Sequence, residues 1–383
     1  MKKNTLDYQL VLYLIVVIFL CIFKVYFAYI TCNGYAFADW LINYQEAGFG
    51  RRGLPGTGFV FLYALFSIKL QYAVFFVQAA VHIVFFYFLY RLLKFKKANI
   101  IDVLFLFTPF CLWGFFSDPA IGARKDGVLW LLFTAFTYYL SQNELTKNKE
   151  YIFLLLFSVS VFIHESFVFY AQYFLIALYF HNGKIDIKKY SLNLLSFYIP
   201  AGIVLVMGIN TDYHKTLQLI RECGINLQKE NIFQWKETQL IKIDYYTKEI
   251  KNLSLYVASV ALQLGFVILY MFLKKFAPEN RNRLLMTFAF AFFMSIPLFL
   301  IAIDVGRWFY NNFILFEILL ISLIPVSGMK FFDSEMLKNK RMLIFIVLVL
   351  LADFAYRVPS ALIGIQTGLP LRFFLHLLGI SSF

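Results

Sequence analysis

The sequence predicts an all-α protein: a polytopic transmembrane helical bundle of about ten to twelve segments, with broken or re-entrant helices at one face. Three observations carry that expectation. The 383 residues are 61% hydrophobic, 20% aromatic and only 15% charged, with a mean hydropathy of +0.72, a balance foreign to soluble domains of this size. Apolar runs approach or reach the roughly 20 residues a helix needs to cross a hydrocarbon core. Lys and Arg gather in alternate loops, the asymmetry that orients membrane proteins. A single integral membrane domain over 1–383 is expected.

Along the chain, the first apolar segment covers about 8–30 behind Lys2 and Lys3. It is too long for a signal peptide and no small-residue cleavage site follows, so it reads as a retained first span. A polar loop occupies 31–70. Its last part, from Pro55-Gly56 onward, is short for a span and suits an interfacial or re-entrant helix. Further segments fall at about 71–90, 100–116, 127–141, 151–180, 191–208, 252–273, 284–303, 308–326 and 342–356. The 151–180 run is too long for one span and turns polar at His164-Glu165-Ser166, so two short or broken helices are expected to meet there. Residues 209–251 are the one sizeable hydrophilic stretch, with Lys and Glu interleaved, and are expected to form a solvated loop or helical lid.

Placing the amino terminus inside puts Arg91, Lys94, Lys147, Lys184, Lys274, Lys338 and their neighbours in inside loops, and leaves fewer cations in the short outside ones. That asymmetry accounts for the net charge of +13 without a nucleic-acid partner. The four cysteines, Cys21, Cys32, Cys111 and Cys223, have no metal-ligand spacing, and neither a metal nor another cofactor is expected.

The outside corners carry both signs of charge: Asp39, Gln45, Glu46, Arg51 and Arg52; Asp118, Arg124, Lys125 and Asp126; His164 and Glu165; Asp304, Arg307 and Trp308; Asp353 and Arg357. Charge at membrane depth is expensive, so its gathering on one face points to function. Asp304 with Arg307, and Asp353 with Arg357, read equally well as local salt bridges. Guanidinium forks match phosphate oxygens, so Arg51, Arg52, Arg124, Lys125 and Arg307 are the candidate diphosphate ligands. Asp39, Glu46, His164 and Glu165 are the candidate proton-transfer groups. Trp40, Tyr44, Gln45, Asp126, Asp304, Trp308 and Arg357 are the candidate glycan contacts, aromatic rings there serving equally as interfacial anchors. Glycines around Arg51-Arg52 (Gly48, Gly50, Gly53, Gly56) would let backbone approach a ligand closely.

Four short motifs, Asp39-Trp40-x-x-Asn43-Tyr44, Arg124-Lys125-Asp126, His164-Glu165 and Asp304-x-x-Arg307-Trp308, together resemble bacterial O-antigen and exopolysaccharide polymerases of the Wzy and EpsG type, which are related to C-type glycosyltransferases. The resemblance is spread over most of the chain. It implies a multi-pass protein of the bacterial inner membrane, active at the periplasmic face, transferring a glycan from an undecaprenyl-diphosphate donor to a lipid-linked repeat unit. Undecaprenyl-diphosphate-linked oligosaccharide, membrane lipids and a chain-length regulator are the implied partners. The first loop departs from metal-assisted C-type members in lacking a paired Asp-Glu. Two alternatives stand beside this one: a C-type transferase moving one sugar from a polyprenyl monophosphate, and a flippase for lipid-linked oligosaccharide. The flippase would need polar groups continuing through the bundle, for which only Lys24, Lys69, His82 and Glu317 offer themselves.

Overall fold

The computed structural model describes residues 15, 18–19, 22–23, 26, 35–45, 48–117, 123–208, 212–227, 250–301, 304–325, 338–358 and 366–380. These residues are mostly helical, and the fold they form is all-α. Among the described residues four helices are long and apolar enough to cross a membrane, within Leu70–Phe95, Ile187–Met207, Asn252–Leu273 and Pro278–Phe299. They show large apolar side chains on their outer faces, among them Phe76, Leu205, Val206, Phe272 and Phe293, where a soluble helix would carry charge.

The described chain falls into two compact units. One takes in residues between Val17 and Phe88 and between Gly122 and Ile241, and the other takes in the rest. The first holds α1 (Tyr35–Trp40), α2 (Gly53–Phe66), most of α3 (Leu70–Phe95), α6 (Asp126–Ser141), α7 (Lys147–Ile163), a 3₁₀ turn over Glu165–Tyr170, α8 (Ala171–Asn182), α9 (Ile187–Met207) and α10 (Tyr213–Glu222). Helix starts are marked by capping side chains: Thr146 for α7, Asp186 for α9 and Asp212 for α10 each accept a first-turn backbone N–H. The long 151–180 run is interrupted at His164, which adopts extended backbone (φ −156°, ψ 112°) between α7 and the 3₁₀ turn. The interfacial helix begins three residues before the expected Gly56, at Gly53, with Pro55 tolerated in its first turn where the amide has no helical acceptor.

Within this unit α7 packs along α9, α8 against α6 and α9, and α2 against α7 and α1. Phe37, Trp40 and Leu41 of the α1 region share a core with Phe59 of α2, Leu70 and Val74 of α3, and Leu217 and Ile220 of α10. The apolar side of α10 is thereby spent on the ground beneath α1. Of the loop or lid expected over 209–251, residues 228–249 lie outside the described ones, and α10 is its described part.

The second unit holds α4 (Ile100–Leu106), α5 (Leu112–Ser117), α11 (Ile250–Leu273), α12 (Pro278–Ile301), α13 (Val305–Leu323), α14 (Lys340–Ala355), a two-residue hairpin pairing of β1 (Tyr356–Arg357) with β2 (Gln366–Thr367), and α15 (Leu369–Leu377). Every residue of α13 from Val305 to Ser322 is buried, so α13 is the axis on which α12, α4 and α11 pack. The apolar run at 100–116 becomes two short helices. The first is capped by Asn99, whose side chain accepts from Ile101 and Asp102 while Asp102 accepts from the Asn99 amide.

A cation-rich cluster at the helix break

The first unit brings together residues from four separate stretches of sequence. Arg52 is the N-cap of α2 and sits in the left-handed region (φ 59°, ψ 10°), a conformation that costs a non-glycine residue about 1 kcal/mol. That geometry aims its guanidinium at two carboxylates. Nε donates to Glu165 Oε2 at 2.8 Å, Nη2 to Glu165 Oε1 at 2.7 Å, and Nη1 to Asp39 Oδ1 at 3.1 Å. Arg51 Nη1 donates to Glu165 Oε1 at 3.2 Å. Lys125, wholly buried, donates from Nζ to the Arg52 carbonyl at 3.2 Å, lies 4.0 Å from Asp39 Oδ1 and stands 5.5 Å over the Trp40 ring. Arg51, Arg52 and Lys125 thus gather about Asp39 and Glu165 in partly buried surroundings. Asp39 and Lys125 are sealed at 0% exposure, while Arg51, Arg52 and Glu165 keep 20, 13 and 17%. The opening is therefore on the Arg51 and Glu165 side.

Titration follows from this packing. Burial would raise the Glu165 carboxyl, but Arg52 and Arg51 outweigh it and hold it at about 2. Burial lowers Arg51 to about 9, with Arg52 beside it acting the same way. For Arg52, burial lowers and the two carboxylates raise, and the carboxylates win. Because the folded Glu165 value lies below its ordinary one, its stabilisation is complete above the ordinary carboxylate range and disappears as pH falls toward 2. Wild-type protein in detergent should therefore lose about 3 kcal/mol more than Glu165→Gln between pH 5 and pH 2, read as the shift in melting midpoint. Parallel curves for the two proteins would refute the assignment.

His164 borders the cluster, its Nδ1 3.9 Å from Glu165 Oε2. The Ser166 backbone N–H donates to Nδ1 at 3.2 Å, and the Ser166 hydroxyl lies 2.7 Å away. An amide can only donate, so Nδ1 carries the lone pair and the ring proton is on Nε2. The ring is wholly buried and stacks on Phe167 with centroids 5.5 Å apart.

Of the other residues expected near a site, Trp40 is at 2% exposure, donates from its indole to the Ala123 carbonyl at 3.2 Å and meets Phe59 edge-on. Its faces are spent on protein contacts. Tyr44 stacks on Phe49 at 4.9 Å, and burial pushes its hydroxyl up to about 12. Gln45 donates to the Thr57 carbonyl at 3.1 Å. The Arg124 carbonyl accepts from Gln78 Nε2 at 2.9 Å, which ties the strip before α6 to α3. Asp126 is buried in the first turn of α6, where a carboxylate meets the positive end of the helix dipole. Glu46 and Asp118 lie outside the described residues. Asp304, Arg307, Trp308 and Arg357 belong to the second unit. There Arg307 donates to Asp304 at 3.4 Å and lies 4.8 Å over Trp308, and Arg357 donates to Gln366.

Gly53 and Gly56 are places of close protein contact. A Cβ on Gly53 would sit 2.1 Å from the Tyr44 ring, and one on Gly56 would sit 2.1 Å from the Ile42 carbonyl oxygen. They let α2 lie against the chain leaving α1, which is what brings Arg52 to Asp39. Ser166 was visible as part of the polar interruption, but its hydrogen bond to His164 was not, since a two-residue reach depends on the break in the helix. Among the described residues no group of three or more His, Cys, Asp or Glu is arranged to hold a metal ion.

Fold and site, among the described residues, together define an all-α protein with four helices long and apolar enough to cross a membrane and a partly open, cation-rich cluster at a helix break. No family model, curated protein or solved structure matches the chain.

Proposed function

We propose that this protein is a polysaccharide polymerase of the bacterial inner membrane, a polytopic bundle with its amino terminus in the cytoplasm and the Arg51, Arg52, Glu165 cluster at the periplasmic face. In this reading it transfers a growing glycan from undecaprenyl diphosphate to a lipid-linked repeat unit. The observation that carries it is the gathering of Arg51, Arg52 and Lys125 at one helix break, with Arg51 the most exposed of the three at 20%. Guanidinium forks at such an opening suit an anion such as a diphosphate.

The geometry divides the labour among the residues. Arg51 donates to Glu165 and keeps 20% of its side chain exposed, whereas Arg52, at 13%, is engaged on three of its nitrogens by carboxylates. Arg52 is then the residue that orders the site, and Arg51 the one that meets the diphosphate and steadies its charge as the glycosyl bond breaks. Glu165 is held ionised by Arg52 and Arg51, and it or Asp39 can take the acceptor hydroxyl proton once a substrate draws an arginine away.

Arg51→Ala should leave membrane-inserted protein at wild-type level and abolish the polymer ladder, with the lipid-linked repeat accumulating at one unit. An unchanged ladder would sink the proposal. A ladder of normal length that lacks a side branch would instead select the polyprenyl-phosphate-dependent transferase.

A further inference from the structure

The second unit contains a carboxyl group that the cluster above does not use. Glu317 lies in the middle of α13 at 0% exposure. Its Oε1 is 2.5 Å from the side-chain amide of Gln263 on α11 and accepts from Thr108 Oγ1 at 3.4 Å. The same amide atom lies 2.6 Å from Thr108 Oγ1. Glu317 Oε2 and Gln263 Oε1 are both buried with no hydrogen-bond partner.

No cation faces Glu317 among the described residues. The titratable groups that reach it are the Cys111 thiol from the turn before α5 and Tyr270 from α11, and Tyr270 in turn meets Asp102 from α4. Asp353 of α14 stands beyond Cys111. Lys274 ends the α11 side, but it pairs with Asp102 at 2.6 Å, and Tyr270 donates to the same oxygen at 2.7 Å. Helix α12 brings no titratable side chain between Leu284 and Ile301. A carboxylate in such a place, with no cation facing it among the described residues, carries a desolvation cost of several kcal/mol. Something positive must occupy it.

The spacing says what. Oxygen ligands around an alkali or alkaline-earth ion stand back from one another to leave it room, whereas these polar atoms touch at 2.5 and 2.6 Å. A proton occupies no such volume. The 2.5 Å contact is also short for an N–H donor and ordinary for an O–H donor. An amide is alike end for end, so Gln263 turned over presents its oxygen to a Glu317 hydroxyl.

We propose that Glu317, with Gln263 and Thr108, is a proton-binding site in the core of the second unit, loaded as the carboxylic acid at neutral pH. The group bound is a proton, and no metal ion shares the site. This rests on the second unit alone and stands whether or not the polymerase reading holds.

The full-length protein in lipid vesicles at pH 7, studied by infrared spectroscopy after H/D exchange, tests it. With glutamate ¹³C-labelled at the side-chain carboxyl, the spectrum should show a carboxylic-acid carbonyl band that shifts with the label. That band should be absent from Glu317→Gln and displaced in Glu317→Asp. Loss of the band on adding sodium chloride in place of choline chloride would mean a metal-cation site and overturn the proposal. So would an unlabelled-type spectrum with no such band in wild type, which needs no variant to fold.

Discussion

Arg52→Ala should destabilise the protein by about 3 to 5 kcal/mol, the cost of removing one partner from a buried ion pair, and should remove any activity of the cluster. The reason is the company Arg52 keeps. Asp39 is sealed from solvent and Glu165 is partly buried, at 17% exposure, so deleting the guanidinium leaves two carboxylates without the cation that bridges them. Arg52→Lys should recover little. An ammonium cannot span both Glu165 oxygens and reach Asp39 as well, because the fork is planar and the three bonds leave it in fixed directions. Alanine also relieves no backbone strain, since the left-handed φ of 59° disfavours it as it does arginine. Chemical or thermal melts in detergent measure the loss. A variant within about 1 kcal/mol of wild type would show that the carboxylates are satisfied some other way, as exposed pairs are.

Gly56→Ala should be the second large effect, and Gly58→Ala its control. The two glycines lie two residues apart on α2 and have the same helix propensity to gain, about 1 kcal/mol on becoming alanine. At Gly58 nothing lies within 4 Å of the new methyl, so that gain should appear as added stability. At Gly56 the methyl meets backbone, 2.1 Å from the Ile42 oxygen and 2.8 Å from the Leu41 carbonyl carbon. Backbone cannot swing aside as a side chain does, so α2 must lift from the chain after α1. Overpacking of this kind costs about 1 to 3 kcal/mol, which outweighs the propensity gain. Arg52, one residue before α2, would move with the helix, so ion-pair geometry should suffer too. Opposite signs of melting shift for the two variants are the expected result, and equal shifts would refute the contact.

Much of this was legible along the chain because hydrocarbon is a one-dimensional signal. The interruption at His164 showed itself as three polar residues within a run too long for one helix, and the chain does break there. The mixed-sign corner at Asp39 and Arg52 showed itself because paired charges are rare among residues this apolar. The partner choice was not legible. Arg52 and Glu165 are 113 positions apart, and nothing local in either segment says that this one arginine takes both Glu165 oxygens and Asp39 as well. Nor did spacing show that Gly53 and Gly56 lie against Tyr44 and Ile42. Glu317 stood out as a charge in an apolar stretch, yet Gln263 and Thr108 passed as ordinary polar residues within spans.

The sequence by itself determined that this is a helical, membrane-suited protein with its unusual charges in a few short motifs, because composition and helical length follow from the chain alone. Only the tertiary structure decided which charges cancel and which remain. Electrostatic balance depends on distances of 3 to 4 Å between residues from distant segments, and on how much water reaches them. Packing sets both.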